Sequence, residues 1–240
     1  MITAWQERTE MLVGSDALER LSKSHVLVMG LGGVGAWASE LLCRAGVGTL
    51  TIVDGDLIQP TNRNRQLPAL TSTQGLQKAE VMRQRLLDIN PNLNLNTIAH
   101  YLKDEALNEV VLQYHYNYVA DAIDTLAPKL FLIKQTLEAG IPLVSSMGSG
   151  GKTDPAKVMV DDIDNSFNCR LAAIIRKRLH RMGIRTGFKV VFSTELTDKT
   201  KVKEVENEPN KKSTVGTISY MPPLFGCHLA SVIIREIAGI

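Results

Sequence analysis

The sequence predicts an α/β protein with a Rossmann-like, mostly parallel central sheet, helices on both faces, and additional C-terminal strands and helices. Three observations carry this expectation. Strand-like and helix-like segments alternate along the 240 residues. The glycines of GLGGVG (residues 30–35) stand where one strand gives way to a helix. Hydrophobic residues make up 44% of the chain and aromatics only 5%, a balance typical of sheets rich in Val, Ile, Leu and Ala. A chain of this length buries a sizeable core as one large domain or two small ones.

The elements are predicted in order. An opening helix covers 5–21, followed by a strand at 25–29 and a helix at 33–45 that Gly46 terminates. A second strand runs over 49–53. After the polar connection DGDLIQPTNRNRQ, a helix at 77–89 stops before Asn90-Pro91, because the residue before a proline disfavours helical backbone. A strand at 94–99, a helix at 104–114, a strand at 118–122, a helix at 127–138 and a strand at 142–146 follow. The second part predicts a strand at 157–160, an amphipathic helix at 170–182, a strand at 189–192 and a C-terminal helix at 225–238. Residues 195–214 show neither helix nor strand periodicity and read as a mobile loop.

Gly30, Gly32 and Gly35 match the GxGxxG pattern in the right setting. The first allows the tight turn, the second lets backbone N–H groups approach a phosphate, and the third lets the helix pack on the strand. Asp54 ends the second strand 19 residues after Gly35, where a carboxylate can accept from ribose hydroxyls. These features suit NAD, a flavin or ATP equally. Arg63, Arg65 and Lys78, with the Asn62 amide beside them, add cations at the same sheet edge, beyond what two phosphates need, and point to a triphosphate whose non-transferred phosphates gain charge during transfer.

GLGGVG, Asp54, NRNRQ, Lys78 and DAID (121–124), in this order, resemble the ATP site of the ThiF/MoeB/HesA superfamily, relatives of ubiquitin-activating enzymes. The resemblance implies one ThiF-type nucleotide-binding domain over 1–240, with residues 1–150 as its ATP-binding part. It implies that Gly30, Gly32, Gly33 and Gly35 form the phosphate turn and that Asp54 holds the ribose. Asn62 and Arg65 would bind the outer phosphates, Lys78 would bridge phosphate oxygens, and Asp124 would coordinate Mg2+. Strand alternation favours Asp124 over Asp121, which lies within the apolar run. The resemblance further implies a homodimer in which Arg8 reaches the neighbouring subunit's site. Arg8, Arg65, Lys78 and Asp124 are thus the expected catalytic residues.

The second half separates two branches. Enzymes that adenylate the C-terminal glycine of a ubiquitin-like or sulfur-carrier protein usually carry paired CxxC motifs, and this chain has none. PLVSSMGSGGKTDPAKVMVDDI, LAAIIRKRL and VVFSTE resemble instead the bacterial tRNA threonylcarbamoyladenosine dehydratase family. That resemblance implies ATP-dependent cyclisation of the threonylcarbamoyl group of tRNA, with adenylation of a carrier protein as the alternative, and leaves room for a sulfur-transfer protein partner. Leu171, Ile174, Ile175, Leu179 and Met182 form an apolar stripe that leaves Arg170, Arg176, Lys177, Arg178 and Arg181 outside. With Arg185 and Lys189 they make seven cations and no acid between 170 and 189, a pattern suited to a phosphate backbone.

Cys43, Cys169 and Cys227 form no CxxC pair and support neither a disulfide framework nor a four-cysteine zinc site. Cys43 and Cys227 read as small core residues, whereas Cys169 stands at a helix start among arginines, where a thiol pKa can fall. No apolar run approaches the roughly 18 residues of a membrane span, and the N-terminus lacks the layout of a signal peptide. The expectation is a cytoplasmic protein.

Overall fold

The computed structural model describes residues 4–102, 104–198, 200, 202–204 and 213–240. The element order is α1 (Glu7–Val13), α2 (Ser15–Ser22), β1 (His25–Met29), α3 (Gly35–Arg44), β2 (Thr49–Val53), α4 (Lys78–Ile89), β3 (Asn94–Ile98), α5 (Asp104–Gln113) and β4 (Tyr118–Asp121). It continues with α6 (Leu126–Glu138), β5 (Leu143–Ser146), β6 (Val158–Asp162), α7 (Arg170–Arg181), β7 (Lys189–Ser193), β8 (Val202–Glu204), β9 (Ser213–Val215) and α8 (Met221–Ala238).

Seven strands form one sheet in the order β3-β2-β1-β4-β5-β7-β6, parallel except for β6, which runs antiparallel to β7. Side-chain alternation along each strand builds two cores. Val26 and Val28 of β1 join Leu50, Ile52, Ala120 and Val144 beneath α3, α4 and α8. Leu27 and Met29 join Val119, Leu143, Val190 and Phe192 on the opposite face, beneath α5, α6 and α7. The predicted helices on both faces follow from strands that are apolar on both sides.

Three expectations are corrected. The single opening helix is two, because Gly14 takes φ +84° between α1 and α2, a left-handed conformation that ends a right-handed helix. Helix α8 begins at Met221, earlier than the apolar periodicity suggests, with two prolines in the first turn where their missing N–H groups cost nothing. The expected loop contains an antiparallel pair, β8 with β9, in the register Val202 to Val215, Lys203 to Thr214 and Glu204 to Ser213. Each strand has only three residues, too few for a period to be legible. The remainder of the loop reading, between 205 and 212, lies outside the described residues.

Chain direction across the sheet reverses at β1: β2 and β3 extend to one side, β4 and β5 to the other. Ligands of such sheets bind beyond the carboxyl ends of the strands at this switch point. Gly30, Asp54 and the turn Ala122–Asp124 leave β1, β2 and β4 at that edge.

Candidate nucleotide site

The glycine turn follows the expected division of labour. Gly30 has φ +91°, and a Cβ there would lie 2.9 Å from the Ala122 carbonyl oxygen. Gly35 opens α3, and its Cβ would stand 1.8 Å from the Gly30 carbonyl oxygen, so the helix can start here only without a side chain. A Cβ on Gly32 would meet only the Gln66 side-chain nitrogen, at 3.7 Å, which leaves that backbone open to a ligand. Gly33 is backed by Pro222 of α8, 2.8 Å from an ideal Cβ. The second half of the chain therefore supports the turn from behind.

Asp54 is largely buried and accepts from the Leu31 N–H (2.7 Å) and the Asp56 N–H (2.8 Å). Burial pushes its carboxyl up from the ordinary value, while Lys78 and the two N–H groups act in the opposite direction. Lys78 opens α4 and is buried. Its Nζ donates to Asp56 Oδ2 at 2.6 Å, and its backbone N–H donates to the Asp56 carbonyl. The Tyr101 hydroxyl donates to Asp56 Oδ1. That hydrogen bond, reinforced by burial and by the charges of Asp56, Asp54 and Asp124, pushes the phenol up to about 12.

Asn62 closes a short 3-10 turn by accepting from the Gln59 N–H at 2.9 Å, which leaves its amide nitrogen as the group that can donate to a phosphate. Arg65 is half-buried and donates to the Thr61 carbonyl (2.9 Å) and Asn64 Oδ1 (2.8 Å). Burial lowers its pKa, and the Asp124 carboxylate offsets part of that effect. Arg63 instead turns to Thr71 and the Pro60 carbonyl, on the outside of the same loop. The glycine turn, Asp54, Arg65, Lys78 and Asp124 thus share one sheet edge.

Asp124 is exposed at the end of β4, whereas Asp121 is fully buried and takes the Lys129 ammonium at 2.7 Å and the Ser145 hydroxyl at 2.6 Å. Of the two carboxylates, Asp121 is thus committed to buried partners, and Asp124 is the one that reaches solvent. Mg2+ takes one or two carboxylates and fills its shell with phosphate oxygens and water, and Asp124 offers the exposed carboxylate.

Sequence reasoning missed Asp56, Tyr101, Gln66 and Lys129. Asp56 is two residues from Asp54 in a stretch read as a polar connection, and Tyr101 arrives from the distant end of β3. Gln66 ends NRNRQ; it is buried beside Gly32, and its Oε1 has no hydrogen-bond partner.

On α7, Arg170, Lys177, Arg178 and Arg181 are exposed as expected, and Ala172, Ile175 and Leu179 are buried. Two residues depart from the expectation. Arg176 folds inward and donates to the Ser166 carbonyl (2.6 Å) and hydroxyl (2.7 Å), satisfying the turn before the helix. Met182, past the last helical turn, is half exposed. Arg8 is exposed on α1, a helix without any buried residue on which Met11 and Leu12 are 81% and 86% exposed.

Cys43 is buried, with its thiol pushed up to about 11 by burial. Cys227, expected in the core, is exposed on α8 and is corrected accordingly. Cys169 is buried at the N-terminus of α7. Among the described residues no helix is long and apolar enough to cross a membrane.

A switch-point glycine turn, a carboxylate at the end of β2 and a cationic loop define a Rossmann-like protein built for a multiply phosphorylated nucleotide. The chain belongs to the ThiF family, whose model matches residues 6–240. It is 35% identical to the tRNA threonylcarbamoyladenosine dehydratase of Bacillus subtilis (strain 168), over 96% of this chain and 94% of that protein. It is 39% identical to the Escherichia coli (strain K12) protein of the same name, over 80% of this chain and 75% of that one. The crystal structure of E. coli tRNA N6-threonylcarbamoyladenosine dehydratase, TcdA, in complex with ATP aligns with a TM-score of 0.87 at 33% identity, covering 99% of this chain and 96% of that chain.

Proposed function

We propose that this protein is an ATP-dependent tRNA threonylcarbamoyladenosine dehydratase that activates the threonine carboxylate and closes it into a ring. The similarity to the E. coli protein bound to ATP, over nearly the whole length of both chains, carries this reading. In the reaction the threonine carboxylate oxygen attacks an ATP phosphate and expels pyrophosphate or ADP. An atom of the neighbouring carbamoyl group then attacks the activated carbonyl, loses its proton, and expels AMP or phosphate. Both reacting groups sit on one nucleoside, so ring closure is intramolecular.

Within this reading the residues of the chain take the following roles. N–H groups of the Gly30–Gly35 turn and the α3 N-terminus cradle phosphate, and Asp54 accepts from the ribose. Asn62, Arg65 and Lys78 stabilise charge building on the phosphates, Lys78 exchanging its hold on Asp56 for phosphate oxygens. Asp124 would hold Mg2+, which would supply neutralisation of phosphate charge. Arg170, Lys177, Arg178 and Arg181 track the tRNA backbone, and Arg8 completes the site of a second subunit. Residues 1–150 serve ATP and residues 151–240 serve tRNA within one domain, in the cytoplasm.

Mass spectrometry of nucleosides from threonylcarbamoyladenosine-containing tRNA, incubated with enzyme and ATP, should show loss of one water. Lys78→Ala or Asp124→Ala should slow this about 100-fold or more. ATP consumption stimulated by a Gly-Gly-ended carrier protein, with the tRNA unchanged, would favour carrier adenylation instead.

A further inference from the structure

A fully buried ion pair lies directly behind the Asp124 turn. Asp121 and Lys129 both have side chains without solvent exposure, and Lys129 Nζ stands 2.7 Å from Asp121 Oδ2. Desolvating two charges is expensive, and such a pair rarely adds to stability over an apolar pair of similar size. Its hydrogen bonds suggest what it does instead. Asp121 Oδ1 accepts from the Ile123 N–H at 3.0 Å, and Lys129 Nζ donates to the Ile123 carbonyl oxygen at 3.0 Å. Ser145, the β5 residue in register with Asp121, donates its hydroxyl to Asp121 Oδ2 at 2.6 Å. The N–H and C=O of Ile123 are thus both gripped by charged groups, and that carbonyl belongs to the peptide bond leading into Asp124.

The turn is bounded on its other side as well. The Ala122 N–H donates to the Met29 carbonyl at 2.9 Å, and the Ala122 carbonyl stands against Gly30 too closely for a side chain there. The backbone of 122–123 is therefore fixed between the phosphate turn and the ion pair. Asp124, exposed and close enough to Arg65 to raise its pKa, is carried by that backbone.

We infer that Lys129 and Asp121 are positioning residues for the reaction: together they hold the Ile123 peptide so that the Asp124 carboxylate faces the nucleotide. This rests on the catalytic role given to Asp124 under the proposed function. Lys129 touches neither nucleotide nor tRNA in this scheme.

The test is the neutral double variant Asp121→Asn/Lys129→Met. Asparagine can still accept from the Ile123 N–H and meet Ser145, no unpaired charge is left buried, and only the donor to the Ile123 carbonyl is lost. The melting temperature should stay within about 4 °C of wild type. The kcat should fall about tenfold or more while the KM for tRNA changes less than about twofold, as expected for a misplaced catalytic group. Amide exchange of the 122–125 segment should quicken without ATP or tRNA present. Wild-type kcat and wild-type exchange in a folded double variant would overturn the inference. Should the double variant not fold, Ser145→Ala keeps both charges and loosens Asp121 alone; unchanged kcat and exchange there would overturn it equally. Asp124→Ala, assayed alongside, separates the two readings. If it retains full activity the role of Asp124 fails, whereas if it is inactive and the double variant is wild-type, only the positioning role fails.

Discussion

Glu40 shows how one charge is made useful at the residue scale. It lies on α3, is buried, and receives Arg85 Nε at 2.5 Å from α4 and Arg44 Nε at 2.9 Å from its own helix. Burial alone would raise its pKa, but the two arginines more than offset this and hold the carboxyl below its ordinary value of 4.5. A carboxylate depressed on folding contributes stability that is present above its unfolded value and lost as pH falls through the folded one. Glu40→Gln should therefore lower stability near pH 7 by about 1.5–3 kcal/mol, and its denaturation midpoint should approach that of wild type as pH falls below 4.5 and through the depressed folded value. Urea titrations across pH test this; parallel curves for the two proteins would assign the effect to packing. The Glu40–Arg44 half of this coupling follows from i,i+4 spacing along α3, but Arg85 was not legible beforehand, because helix packing and not spacing along one helix brings it to Glu40.

At the scale of the element, two glycines separate backbone strain from steric exclusion. Gly14 needs a left-handed conformation yet has nothing within 4 Å of an added Cβ, so Gly14→Ala should cost only about 1–2 kcal/mol in thermal unfolding and leave ATP binding intact. Gly35 makes the opposite case. Its Cβ would collide with backbone at 1.8 Å, so Gly35→Ala should cost about 3 kcal/mol or more and abolish ATP binding measured by calorimetry. The phosphate turn, β1 and β2 were all readable in the sequence, since an apolar run ending in glycines encodes them locally. Arg176 was not: helical spacing alone placed it outward, whereas the carbonyl and hydroxyl oxygens of Ser166, both accepting from its guanidinium, draw it in.

For the whole molecule, the sheet and both cores are continuous across the chain, with α8 packed on α3 and β7 extending the sheet beyond β5. Gly226 allows this closeness, as a Cβ there would stand 2.5 Å from the Val34 carbonyl. The phosphate turn and the basic helix thus pack on opposite faces of one sheet, so the tRNA contacts proposed for the helix should be alterable without disturbing the ATP site. Reversing Lys177, Arg178 and Arg181 to Glu should weaken tRNA binding and reduce the salt slope of log K by about 2–3, with ATP affinity unchanged. Filter binding at several salt concentrations reads both. The trans role given to Arg8 has its own signature. Arg8→Ala and Lys78→Ala proteins, each impaired, should recover activity on mixing, since the mixed dimer contains one intact site. Failure to recover after subunit exchange would place Arg8 outside the neighbouring site.

The sequence by itself determined the alternation of elements, the parallel sheet and the glycine turn between β1 and α3, because apolar periodicity and glycine spacing are local properties of the chain. It could not assign Lys129, Asp56 or Arg176 their partners. Those pairings depend on which strands lie side by side and which helix ends meet, and only the tertiary structure decided them. A buried charge has no local signature: Lys129 sits in an amphipathic helix like any surface lysine until β4 and β5 bring Asp121 and Ser145 to its ammonium, where desolvation makes the pairing obligatory.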